Sequence, residues 1–391
     1  MIDLRHVATT IGAMRTNLGV VLAACLAAGC TGTITGGNAR DGSTGDDDDD
    51  DDDNGVDGGQ DPLPDSSFTI QLVPAQSGDA GSQRINFAIP LPPTMLADAN
   101  RIRIASGGSE LATARRALAT WPDGSLRSVQ IQLDLAVPGA TTLDVVIGDA
   151  AAAGDLTMAP VTETLATADG TSGPRVWALL PAAWLSASQV GGPMAPSAAT
   201  SGTPLAAWDS LCDYAAFDTD TFLGVDGETG NWLFDRATAM YRGYQHTGDL
   251  IPLRSAYREA AIYRAGITGT GTATRIGVPG AADDLKYHYT QGMAIHYLLS
   301  GDDRFREAAE DVATRAAALW DDPGYAGGAD FWTERHAGFG LLAYEWAAIV
   351  SDDRADTFDA LAREAVDAYL AIQAASPADG GDGARCFAHE A

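Results

Sequence analysis

Cysteine is scarce in this chain, with four residues, two of them inside the first thirty. That leaves Cys212 and Cys386 in the body, which is too few for a disulfide framework. There is no C-x-x-C pair and no H-E-x-x-H helix, so the usual zinc and redox spacings are missing, and the sequence names no cofactor. Basic residues are also short: 24 lysines and arginines face 53 acids, for a formal charge of −29. That balance argues against a nucleic-acid partner, because phosphate backbones select the opposite sign. No apolar run reaches the roughly 20 residues needed to span a bilayer.

Residues 1–30 instead read as a targeting segment. Arg5 and Arg15 precede the short apolar run "LGVVLAACLAAG". Small residues lead into cysteine twice, at "LAAC" (Cys25) and "AAGC" (Cys30). Both resemble the lipobox of bacterial lipoproteins, with Cys30 preferred as the lipidated residue and Cys25 the alternative. The resemblance implies an envelope protein attached to the membrane by an N-terminal lipid. Residues 31–66 form a tether centred on Asp46 to Asp53, an unbroken acidic run that repels itself and reads as a solvated spacer.

From Phe68 the texture changes to short alternating runs such as "FTIQLVP", "NRIRIAS" and "SLRSVQIQLDL". Period-two alternation broken by turn residues predicts a compact β barrel or sandwich over 67–150. Residues 151–230 read as an irregular connection in which only "RVWALLP" suggests a strand and "PAAWLSAS" a helical turn.

After Asn231 the period becomes helical, and tight turns recur at "HTGDLI", "LSGDDR" and "VSDDRA", roughly fifty residues apart. Aromatic- and histidine-rich helices are expected before each turn, over 232–246, 284–299 and 331–349, and one-sided amphipathic helices after it. Residues 231–391 are thus expected to form three hairpins of an incomplete, truncated α/α toroid, each pairing a buried inner helix with a charged outer one. Long Gly-rich loops precede the inner helices, which points to their N-terminal ends as the working face.

Residues 85–135, with "IPLPP" and the hairpin Trp121-Pro122-Asp123-Gly124-Ser125 followed by Arg127, resemble the N-terminal RIFT-barrel domain of the exo-rhamnogalacturonan lyase-like family. The resemblance implies a barrel, a central sandwich and a C-terminal α/α toroid with polysaccharide-lyase activity. The middle region is short for a sandwich, and the hairpins are fewer than closed rings carry. No catalytic residue is carried over from the family.

The chemistry is read from the residues instead. Removing the proton next to a uronate carboxylate and protonating the leaving oxygen suit Tyr, His, Lys and Arg. Lys286, His288, Tyr289, Arg335 and His336 are the catalytic candidates at the loop-rich end, with Tyr287, Trp332 and Glu334 as substrate-binding candidates. His246 and His296, at the tight-turn ends, are expected to be structural. Three readings follow: a lipid-anchored polysaccharide lyase on a pectin-like polymer; a toroid hydrolase using Glu334, Glu345 or Asp235; or a glycan-binding lipoprotein without activity.

Overall fold

Alternation along the strands sets the first layer. In the computed structural model, which describes residues 65–76, 81–224, 232, 235–278, 283–319 and 333–375, strands β1 (Ser67–Pro74), β3 (Ile102–Ser106), β4 (Ser109–Glu110), β7 (Thr141–Ile147) and β8 (Val176–Leu179) form one sheet in the order β4-β3-β7-β1-β8. Ile70 lies opposite Leu143, and Ile104 opposite Val145. All four are buried, so every second residue of this sheet feeds one apolar face. β8 comes from the stretch read as a connection, and it adds an edge to the sheet beyond residue 150.

Strands β2 (Ser82–Pro90), β5 (Thr113–Thr120) and β6 (Leu126–Ala136) form a second antiparallel sheet, ordered β2-β6-β5. Its two faces differ. Ile85, Phe87, Val129, Ile131 and Leu133 join the same apolar cluster as the first sheet, while Asn86, Ser128, Gln130 and Gln132 are buried on the other side. The expected closed barrel is absent among the described residues: these eight strands form two separate hydrogen-bonded sheets. The polar row explains why one strand is buried on both faces, because it receives a helix rather than water.

Six long helices follow as three hairpins: α1 (Arg236–Thr247) with α2 (Leu250–Ala265), α3 (Gln291–Ser300) with α4 (Asp303–Leu319), and α5 (Thr333–Val350) with α6 (Ala355–Ala375). The inner helices α1, α3 and α5 pack side by side in that order. α4 buries Phe305, Ala308, Ala309, Val312 and Ala316 on one stripe, as its periodicity predicts. Gly248 and Gly301 end α1 and α3 in the left-handed region, at φ 74° and 69°, where glycine avoids the Cβ penalty.

The end of α3 is seated on the polar face of the second sheet. Ser128 Oγ donates to the Leu298 carbonyl at 2.6 Å, and Asn86 Nδ2 donates to that of Ser300 at 2.7 Å. Arg116 donates to Gly301 O and pairs with Asp303 at 2.7 Å. The sheet thus satisfies helix carbonyls that have no partner in their own helix, and places a cation at the negative end of the dipole. Strands and helices share one continuous apolar cluster from Ile70 to Val350.

Candidate functional site

The second inner helix is shorter than its sequence suggests. Residues 284–290 are not α-helical: Asp284 accepts from Lys286 N at 3.1 Å and caps a single 3-10 turn, Leu285–Tyr287, after which the chain is irregular to Thr290. One side chain holds the break open. The Tyr263 hydroxyl donates to Tyr287 O at 2.6 Å and accepts from Tyr289 N at 2.9 Å, replacing helix bonds with a bridge from α2. The inner helix expected over 284–299 therefore begins only at Gln291, and the side chains of Lys286, Tyr287, His288 and Tyr289 are distributed by a turn.

Two of the tyrosines point into the helical layer. Tyr287 and Tyr289 are 3% and 4% exposed. The Tyr289 hydroxyl donates to Trp232 O at 2.7 Å, and its ring lies between those of Tyr263 and Phe339.

Lys286 takes the opposite course. Its Nζ stands 2.9 Å from Asp284 Oδ2, and His336 Nε2, from the first turn of α5, stands 3.2 Å from Asp284 Oδ1. Burial works to raise the Asp284 carboxyl, but hydrogen bonds from Lys286 and its charge outweigh it and hold the group below its usual range. Residues from two inner-helix termini thus converge on one carboxylate. The third terminus is tied in nearby: Asp235, the N-cap of α1, accepts from Thr238 N at 2.9 Å and from Gly292 N of α3 at 3.1 Å.

His288 lies beneath this group, 1% exposed. Its Nδ1 is 2.9 Å from Asp284 O. A carbonyl only accepts, so Nδ1 carries the proton and Nε2 is the lone-pair nitrogen of a neutral ring. That Nε2 is buried, has no hydrogen-bond partner, and lies 3.7 Å from Asp283 Oδ1. Burial lowers the His288 pKa, which favours the same neutral state. Asp283 in turn is held by Arg315 at 2.7 Å and Arg275 at 3.3 Å. Three cations (Arg275, Arg315, Lys286) therefore surround two carboxylates, giving a locally positive spot on an acidic protein.

The remaining candidates divide clearly. His246 contacts Ala195 O through Nδ1 at 2.7 Å and Asp209 through Nε2 at 3.3 Å. His296 meets the Tyr241 hydroxyl at 2.6 Å and stacks on Phe305. Both serve the fold. Asp235 is committed to capping. Burial raises the carboxyls of Asp235 and Glu345. Trp332 and the side chains of Glu334 and Arg335 lie outside the described residues, as do Cys25, Cys30 and Cys386; Cys212 is exposed. No group of three or more metal-ligating side chains occurs among the described residues.

Sequence reasoning missed Asp283 and Asp284, the carboxylates on which the cluster is built. It also passed over a legible signal: Lys286 is the only lysine in the chain, and every other basic side chain is arginine or histidine. Lysine differs from arginine in being able to lose its proton within reach of neutral pH. The chain matches no family model, no curated protein and no solved structure.

Proposed function

We propose that this is a lipid-anchored envelope protein acting as a polysaccharide lyase on a uronate-containing, pectin- or rhamnogalacturonan-like polymer. Its N-terminal sheets would correspond to the RIFT-like domain and its hairpins to part of an α/α toroid, with the lipid on Cys30 or, alternatively, Cys25. The observation that carries the reading is the convergence of Lys286 and His336 on Asp284, which supports a carboxylate-binding role for this pair. Lys286 would take the substrate carboxylate and disperse the charge that builds up as the neighbouring proton leaves. His336 would accept that proton. The electron pair forms the new carbon–carbon double bond as the bond to the leaving oxygen breaks, and the oxygen takes a proton from the Lys286 side. His288 would act as a positioning residue through Asp284.

The test is the ultraviolet absorbance of an unsaturated product released from a uronate polymer. Lys286→Met and His336→Ala are each expected to lose at least about 100-fold in turnover, with little change in thermal midpoint. Reducing sugar without new absorbance would mean hydrolysis. The burial of His288, Tyr287 and Tyr289 favours a second reading, a non-catalytic glycan-binding lipoprotein, for which the polymer binds and no product forms.

A further inference from the structure

Arg127 lies at the start of β6, at the far end of the inner helices from Lys286. Its guanidinium carbon stands 4.1 Å from the centre of the Trp121 ring and 6.0 Å from that of Trp346 on α5. Trp346 is ten residues beyond His336 (346 − 336), roughly 15 Å along a helix. Arg127 Nε is buried without a hydrogen-bond partner, and no carboxylate of the described residues pairs with the side chain. Arg84, Arg116, Arg236 and Arg304, by contrast, each sit on an acid. Burial alone, with no acid opposing it, lowers the Arg127 pKa to about 10.

The surroundings are rigid. Trp121 Nε1 donates to Leu91 O at 2.9 Å, and Leu91 N donates to Arg127 O at 2.9 Å. The hairpin below is closed by Ser125, whose Oγ donates to Asp123 and accepts from Thr94 N. An indole face stabilises a guanidinium, but its N–H donors lie in its own plane and are left for a planar acceptor. A cation that gives up water without gaining a counter-charge is costly. Arg127 as a residue keeps partial solvent exposure, although its Nε is buried.

We infer that Arg127, held against Trp121 and Trp346, is a binding site for a carboxylate-bearing ligand, separate from the Lys286 cluster. The site does not depend on the lyase reading, and an inactive protein could still bind there.

The probes are galacturonate, acetate, sulfate and neutral galactose, added at matched ionic strength to the full-length protein while its thermal midpoint is followed. Galacturonate and acetate are expected to raise the wild-type midpoint, because a ligand that binds only the folded state stabilises it. Galactose should not. Arg127→Met should fold at least as stably as wild type in the absence of these anions and should not respond to them. Arg127→Lys, which keeps the charge and loses the fork, should bind roughly tenfold more weakly. A wild-type midpoint indifferent to carboxylates would overturn the proposal, as would an equal response to sulfate or galactose, or an Arg127→Met response matching wild type. If Arg127→Met does not fold, the Arg127→Lys titration decides alone: affinity equal to wild type counts against the site.

Discussion

At the level of single residues, environment separates four histidines that look alike in sequence. His296 is buried against Phe305 and its pKa is pushed down to about 3, from an ordinary 6.5, by burial. Between those values the unfolded chain binds a proton that the folded chain refuses. Stability from this group is therefore complete above pH 6.5 and falls as the pH drops, at about 1.4 kcal/mol per unit. His288, also lowered by burial, contributes with the same sign. Urea midpoints measured between pH 6.5 and 5 should decline, and His296→Gln should make the decline shallower; an unchanged slope would count against a neutral buried ring. The expectation that His246 and His296 are structural rested on their nearness to the tight turns, and that much was readable. Which residues surround Lys286 was not, because Asp283 and Asp284 sit in a turn whose shape is set by Tyr263, some twenty residues earlier in sequence.

At the level of elements, the sequence marks the hairpins well because glycine and the apolar stripes carry local information. Gly248 and Gly301 both stand where a left-handed residue is required. A Cβ at Gly301 would also run into the Gln130 side chain on the sheet. Gly301→Ala should therefore cost more than the roughly 1–2 kcal/mol of the backbone conformation alone, and adding Gln130→Ala should recover the excess. Gly107→Ala, also left-handed but facing open space, is the control. Equal losses at the two glycines would mean that the helix end is not seated on the sheet. The alternation of β6 was legible as a strand. That its polar row receives a helix was not, since "SVQIQLDL" reads equally well with that face in water.

Across the whole molecule, one apolar cluster spans both sheets and the inner helices, and a second joins α4, α5 and α6, so the sequence boundary between a β domain and a helical domain is not a boundary in packing. Tryptophan fluorescence and far-ultraviolet dichroism should report a single coincident unfolding transition; an earlier transition for the strands alone would contradict a shared core. The change of hydrophobic period near residue 231 reads as a change of element type, but short helices already occur from Ala182, and periodicity carries no information about docking between layers. At the N-terminus, changing both Cys25 and Cys30 to Ser should release the protein from membranes, and continued membrane association would remove the lipid anchor from the account. The central claim is that Lys286 receives the carboxylate of a uronate sugar. Because this is the only lysine, dimethylation with carbon-13, which preserves its charge, places one side-chain probe in the whole protein. The account predicts that an oligogalacturonate moves the Lys286 resonance in nuclear magnetic resonance spectra while a neutral oligosaccharide leaves it in place, and that His336→Ala weakens the response. A resonance that stays fixed while the polymer is bound or cleaved would contradict it.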